Sequence, residues 1–383
     1  TDGHLLVYTG VMEKEENGLK KTYQNQCVAI GDGTDYRKAD NNPVITGDMM
    51  PTGFSREDFR DPKIWREEDG YYLLAGNKTD EGIPQVVLFH SDNLEDWQYV
   101  SVLAKDLDGK LGTMWECPDF FSLNGEYGLL ISPQNMMAGN EFHNGNNVAF
   151  LSGKYDKKRH IFQYDKAISV DEGLDFYAPQ TLEMPDGRRI MIGWMQSWDS
   201  NIRPENQKWS GMMSLPRELQ IIDGKLIQSP VKEMENYYAD TVNYTNQEIA
   251  GECQLSRIGG RTVDMTIEIL SGEFREFCIQ FAANEKYRTF ITYDKIKNTL
   301  EFDRTYSGMV RDTISSRRVA IKAPKESLKL RFVLDKYSAE IFVNDGEQVL
   351  SSTFYTPMDA EEIHFGCDGV AVTNIEKHAI AVD

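Results

Sequence analysis

The stretch Trp115-Glu116-Cys117-Pro118-Asp119-Phe120-Phe121-Ser122-Leu123-Asn124-Gly125-Glu126-Tyr127-Gly128-Leu129-Leu130 decides the fold, because its shape recurs. It reads as a short strand led by proline, a tight turn at Asn124-Gly125, and an apolar strand. Proline suits a first strand position, where no ladder donor is required. The turn residue, the glycine and the apolar strand return in Asp2-Gly3-His4-Leu5-Leu6-Val7-Tyr8, in Asp69-Gly70-Tyr71-Tyr72-Leu73-Leu74-Ala75 and in Asp186-Gly187-Arg188-Arg189-Ile190-Met191-Ile192. The glycines at 3, 70, 125 and 187 are spaced by 67, 55 and 62 residues. Pro62-Lys63-Ile64-Trp65 and Pro179-Gln180-Thr181-Leu182 repeat the proline-led strand. Hairpin repeats of this length mean blades of a propeller, with an ordinary β-sandwich as the competing reading. The first repeat lacks its proline-containing half. The sequence therefore reads as a propeller cut inside a blade, with the remainder expected upstream of Thr1.

After Pro216-Arg217-Glu218-Leu219 the character changes. The segment 230–239 reads as one short helix or a linker. From about Asp240 the chain becomes alternating strands, and Asn344-Asp345-Gly346 is a strong hairpin turn signal. Strands at this spacing suggest a β-sandwich. The expected organisation is all β: a propeller over 1–229, a linker over 230–239 and a C-terminal β-sandwich over 240–383.

Composition narrows the function classes. The 383 residues carry 61 acidic and 41 basic side chains, a formal net charge of -20, and no basic stripe with interleaved aromatics. A nucleic-acid partner is therefore not expected. No apolar run approaches the about 18 residues of a membrane span. The five cysteines are widely spaced and odd in number, which is no disulfide framework and suggests a reducing, cytoplasmic compartment. The six histidines show no metal-ligand spacing, and no phosphate-cradling glycine loop occurs, so neither a metal nor a cofactor is expected.

The chemistry is expected just before the prolines. In a propeller, equivalent strands of successive blades converge on the axis, so Asp61, Glu116 and Asp175 are expected to face one central funnel. Trp115 and Cys117 would desolvate Glu116 and favour its neutral form, as a general acid needs, unless it lies on an exposed strand edge. Arg60 could hold a carboxylate ionised or grip a hydroxyl-rich ligand. Carboxylates with aromatics in one pocket are the equipment of glycoside hydrolysis.

Phe59-Arg60-Asp61-Pro62 and Trp115-Glu116-Cys117-Pro118-Asp119 resemble the Arg-Asp-Pro and Glu-Cys motifs of glycoside hydrolase family 32, the invertase and fructanase family. Five further segments fit in the same order: Leu6-Val7-Tyr8-Thr9-Gly10, Asp175-Phe176-Tyr177-Ala178-Pro179-Gln180, Gly193-Trp194-Met195-Gln196-Ser197-Trp198, Leu215-Pro216-Arg217-Glu218-Leu219 and Glu340-Ile341-Phe342-Val343-Asn344-Asp345-Gly346. The resemblance covers essentially the whole chain. It implies a five-bladed β-propeller followed by a β-sandwich, and a retaining mechanism that releases fructose from sucrose, phosphorylated sucrose or fructans. Glu116 would be the acid/base and Asp61 the transition-state stabiliser. Arg60, Cys117, Asp175, Tyr177, Trp194 and Trp198 would contact a small sugar substrate, although the two tryptophans read equally well as core. The family's nucleophile is an aspartate in an Asn-Asp-Pro-Asn-Gly motif, which does not occur here; Asn41-Asn42-Pro43-Val44 looks like a later family segment. The alternative expectation is thus an inactive carbohydrate-binding propeller or a truncated fragment.

Overall fold

The computed structural model describes residues 3–139, 141–196, 198, 207–308, 314–322 and 326–381. Two compact units divide the chain: 1–169 with 178–180, and 170–177 with 181–383. Nearly every described element is a strand.

The first unit holds three small antiparallel sheets in which each strand pairs with its sequence neighbour. One is three-stranded: β1 (His4–Glu16), β2 (Leu19–Gly31) and β3 (Tyr36–Lys38). The next has β4 (Phe54–Glu67), β5 (Gly70–Thr79), β6 (Pro84–Ser91) and β7 (Gln98–Lys105). The third has β8 (Met114–Leu123), β9 (Glu126–Gln134), β10 (Ala149–Asp156) and β11 (Ile161–Ser169). The repeat that opened the reading becomes visible here. Asn124 and Gly125 turn β8 into β9 with φ of 56° and 84°. Gly70 and Gly125 lead into the second strands of their sheets, β5 and β9, whereas Gly3 leads into β1, the first strand of the three-stranded sheet.

Strand β5 is buried on both faces. Leu73 and Ala75 pack with Val28, Ile45, Val87 and Phe89, while Leu74 faces Leu88, Leu129 and Ile131. Alternate side chains point to opposite faces, so one apolar run serves two sheet interfaces. Truncating Leu74 to alanine would remove buried surface from the second interface, at a cost of about 2–5 kcal/mol.

The proline-led strands share a backbone kink. Asp61, Cys117 and Ala178 each precede a proline and each adopt positive φ, at 60°, 47° and 52°. The ladder slips between Arg60 and Lys63 in β4, and between Glu116 and Asp119 in β8. Such a bulge re-aims the side chains around it.

The second unit contains a fourth small sheet of β12 (Tyr177–Glu183), β13 (Arg189–Trp194), β14 (Arg217–Ile222) and β15 (Lys225–Pro230). A 3₁₀ turn at Lys232–Tyr237 follows, in the segment that the sequence marks as a short helix or linker. Ten strands complete the unit: β16 (Tyr238–Cys253), β17 (Val263–Glu273), β18 (Glu276–Ala283), β19 (Thr289–Asp294), β20 (Thr299–Asp303), β21 (Ser316–Ala320), β22 (Leu328–Asp335), β23 (Ser338–Val343), β24 (Gln348–Thr353) and β25 (Glu362–Ile380). The long β25 pairs with β18 up to Cys367 and with β17 from Val370 onward, so one strand serves both layers. Ile267, Phe281, Phe302, Phe332, Ile341 and Phe365 fill the space between them. The hairpin expected at Asn344-Asp345-Gly346 joins β23 to β24, with all three residues at positive φ. Gly346 is required on a second count: a Cβ there would lie 1.7 Å from the Gln228 carbonyl oxygen.

A buried ionic cluster ties the fourth small sheet to the ten strands. Arg217 on β14 is fully buried and donates to Glu340 on β23, to Asp171, to Gln228 and to Ser351. It also lies over the Phe176 ring, 4.5 Å from the centroid.

Candidate active site

The first unit gathers Arg60, Asp61, Glu116 and Cys117 at the two kinks. Arg60 Nε donates to Glu116 Oε1 at 2.9 Å. The rest of the guanidinium is spread over Asp58 Oδ1 (3.1 Å), Gln24 Oε1 (3.3 Å) and Gln134 Oε1 (3.4 Å). A planar fork can hold several acceptors in fixed directions, which a lysine ammonium cannot do. Asp61 Oδ2 accepts the Cys117 N–H at 2.9 Å and the Cys117 thiol at 3.6 Å. The Asp61 N–H donates to Thr9 Oγ1 at 3.0 Å, and the Thr9 hydroxyl donates to Gln26. Gln26 in turn donates to the Phe59 carbonyl, which closes a brace around the kink.

Electrostatics follow from this packing. Burial pushes the Asp61 carboxyl above its ordinary range and the nearby Glu116 adds to this, while the Cys117 N–H and Arg60 pull the other way. Burial also pushes the Cys117 thiol up, reinforced by Asp61 and Glu116, so it stays protonated and can donate. Asp58 is lowered, because Lys78 and Arg60 outweigh its burial.

The Cys117 kink is also held from its carbonyl side. Gln180 Nε2 donates to the Cys117 carbonyl at 3.0 Å. Lys63 Nζ lies 3.2 Å from Gln180 Oε1 and 3.1 Å from the buried Asp119.

Three sequence expectations change. Asp61, Glu116 and Asp175 are not equivalent positions: the kinks equate Asp61 with Cys117 and Ala178, and Arg60 with Glu116 and Tyr177. The funnel alignment slipped by one or more residues because the proline, not the carboxylate, is the repeating landmark. Asp175 is fully buried, and its Oδ2 is taken by Arg304 and by the Thr353 N–H and hydroxyl, so it serves the interior of the second unit rather than a sugar. Trp115 does not line the acid. Strand neighbours face opposite ways, and its fully buried indole donates to the Leu111 carbonyl and packs edge-on to Tyr164. The group that borders Glu116 is Arg60.

In the second unit Tyr177 is buried on β12. Trp194 and Trp198 form an edge-to-face pair with centroids 5.6 Å apart, and Trp198 is 66% exposed. Ser197, in a segment singled out by the sequence, lies outside the described residues. The sequence reading missed Thr9, Gln24, Gln26, Asp58, Gln134 and Gln180. Gln24-Asn25-Gln26, three amides in a row inside a strand, was the available signal. Among the described residues no group of three or more His, Cys, Asp or Glu could hold a metal ion, and no helix is long and apolar enough to cross a membrane.

Comparison with known proteins places this arrangement. Residues 1–230 match the family model described as "Glycosyl hydrolases family 32 N-terminal domain", and 233–381 match "Glycosyl hydrolases family 32 C terminal". A sucrose-6-phosphate hydrolase of Escherichia coli is 33% identical over 374 residues, covering 96% of this chain and 75% of that protein. A raffinose invertase of Escherichia coli is 32% identical over 368 residues, covering 94% of this chain and 74% of that protein. A family 32 β-fructofuranosidase of Bombyx mori superposes with a TM-score of 0.82 at 27% identity, covering 99% of this chain and 77% of that one. The small sheets are blades of the family's β-propeller and the ten strands are its β-sandwich. The chain belongs to glycoside hydrolase family 32.

Proposed function

We propose that this glycosidase cleaves β-fructofuranosides by a retaining route in which Glu116 is the acid/base and Asp61 binds and stabilises the reacting fructosyl unit; the nucleophile of such a route would be the aspartate of the family's Asn-Asp-Pro-Asn-Gly motif, which does not occur in these 383 residues. Release of fructose from a small sugar substrate is its activity. The observation that carries the residue roles is the pairing of Arg60 Nε with Glu116 Oε1 beside a half-buried Asp61 held by Cys117. Arg60 fixes the orientation of the Glu116 carboxyl, which is to carry the proton to the glycosidic oxygen. Asp61, accepting from Cys117 through Oδ2, would use its carboxylate to accept fructosyl hydroxyls. Their hydrogen bonds would strengthen as positive charge develops at the ring.

Among candidate substrates, sucrose 6-phosphate is favoured by the sucrose-6-phosphate hydrolase relatives. Five free thiols favour a reducing, cytoplasmic location. Trp194 and Trp198 are proposed as an aromatic wall for a sugar, because one of the pair remains exposed. The test is fructose release from sucrose, sucrose 6-phosphate, raffinose and 1-kestose, with Glu116→Gln as the control. The reading predicts release that Glu116→Gln suppresses by about 10²–10⁴-fold on these unactivated substrates. Release left intact by Glu116→Gln would overturn the assignment.

A further inference from the structure

A pocket of about 470 Å³ lies in the second unit, lined by β15, the 3₁₀ turn and the outer face of β17, β22 and β25. Its volume falls within the range of small-molecule sites. The strand register builds its floor: Thr266 on β17 stands between Glu376 on β25 and Arg331 on β22. One step along, Asp264 stands beside His378, whose ring stacks on Tyr238 at 4.1 Å between centroids.

The floor is rigid before any ligand arrives. Asp264 is only 2% exposed, and its two oxygens take Arg331 Nε (3.1 Å), Arg331 Nη2 (2.7 Å) and the Tyr238 hydroxyl. A buried ion pair of this kind is weak evidence for stability, because desolvation offsets much of its Coulombic gain. It does fix the guanidinium plane. With Nε and Nη2 engaged, Arg331 Nη1 has no protein acceptor among the described residues. The Thr266 and Ser229 hydroxyls likewise make no hydrogen bond among the described residues, although both residues line the pocket. Lys329 is paired with Asp345, His378 with Thr241 and Glu376, and Gln228 with Arg217 and the Val170 carbonyl, so Arg331 Nη1 and the two hydroxyls are the groups left to meet a ligand in this concavity.

The charge selects the ligand class. Glu235, Asp264, Asp345 and Glu376 stand against Lys329 and Arg331, so the lining repels an anion. A cation meets the unengaged face of Arg331. A neutral, hydroxyl-rich molecule uses both the donors and the acceptors, and Pro230 and the Tyr238 edge offer apolar surface to a ring.

We propose that this pocket is a second, non-catalytic carbohydrate site that holds one or two neutral sugar residues of an oligosaccharide. The choice of a fructoside as its ligand rests on the function proposed above; the site itself does not. The test is an NMR titration of the full chain, reading the Thr266 and His378 signals. Maltotriose is titrated into the wild type, and 1-kestose into Glu116→Gln so that it is not consumed. Saturable shifts with a dissociation constant of about 1 mM are expected, as suits a small open polar site. Thr266→Trp fills the centre of the floor and should weaken this binding at least about tenfold (roughly 1.4 kcal/mol) with kcat/KM on sucrose unchanged. Binding of maltotriose but not 1-kestose keeps the site and counts against the fructoside. The proposal fails if neither maltotriose in the wild type nor 1-kestose in a folded Glu116→Gln moves these signals. It also fails if the shifts survive in a folded Thr266→Trp, or if inorganic phosphate saturates the pocket more tightly than the sugars.

Discussion

Asp61 and Cys117 occupy the same kinked position in successive blades, and the second donates to the first. Each precedes a proline, each has positive φ, and both the N–H and the thiol of Cys117 point at Asp61 Oδ2. A left-handed conformation costs a non-glycine residue about 1–2 kcal/mol. Here it aims two donors at a half-buried carboxylate. The strain thus sits where the proposed chemistry needs a fixed acceptor.

The Cys117 thiol should therefore tune Asp61 rather than react. Its loss in Cys117→Ala removes a donor to the ionised form, so the Asp61 carboxyl climbs further and the acidic limb of the kcat/KM profile moves to higher pH. Cys117→Ser keeps a donor and should restore the limb. Because burial holds the thiol protonated, iodoacetamide at about pH 8 should leave Cys117 unmodified until the chain is unfolded. An unaltered profile in Cys117→Ala would make the thiol a packing group only.

Glu116→Gln keeps the shape that Arg60 grips but removes the transferable proton. Hydrolysis of substrates with a poor leaving group should fall by about 10²–10⁴-fold, and a fructoside with an activated leaving group should suffer less in the first step. Parallel steady-state assays on sucrose and on such a fructoside check this. Equal losses on both would point to a binding role instead.

The fold was legible because its signals are local and repeated. A proline, a turn and a glycine recur at blade spacing, and Asn344-Asp345-Gly346 needs only its own backbone to declare a hairpin. The motif residues Arg60, Asp61, Glu116 and Cys117 were found the same way, and the structure brings them together. Asp175 was misread because a carboxylate near a repeat looks the same in sequence whether its partner is a sugar or Arg304, which lies 129 positions away. The braces at Thr9, Gln24 and Gln26 were missed for a related reason. Their function is to satisfy the kinked backbone of a strand in the neighbouring sheet, and no local pattern encodes that pairing.

Arg217 presents the opposite case to Arg60, a cation whose partners are all structural. Replacing it with Met would leave Asp171 and Glu340 buried without their counter-charge, a loss of about 3–5 kcal/mol. Burial already pushes both carboxyls upward against the pull of Arg217, so its removal raises them further. A carboxyl raised in the folded state binds its proton more tightly there than when unfolded, so the destabilisation grows with pH. Denaturant titrations of Arg217→Met should show a large deficit at about pH 7 that narrows toward about pH 4. A deficit that does not vary with pH would mean that lost packing against Phe176, not charge, dominates.

Asp61→Asn should separate activity from stability. The ordinary aspartate value is 3.8, and burial is the leading cause that raises Asp61 above it in the folded chain. The sign follows from proton binding. Below 3.8 the carboxyl is neutral in both states and carries no penalty. As pH rises through that value toward the folded one, the unfolded chain ionises first and is stabilised relative to the native state. At neutral pH the wild type therefore bears a destabilising term that an uncharged amide lacks. The asparagine oxygen can still accept the Cys117 N–H, so the kink keeps one of its two bonds. Asp61→Asn is expected to unfold at a higher temperature than the wild type at about pH 7, with the difference shrinking as pH falls toward about 4. Over the same range it should lose at least about 10²-fold in kcat/KM, since an amide cannot supply a full negative charge to the developing positive ring. Calorimetric scans across pH, run beside fructose-release assays, read both quantities. A variant that is less stable than the wild type at neutral pH would show that Asp61 is held ionised by net favourable contacts. A variant with unchanged kcat/KM would remove Asp61 from the mechanism.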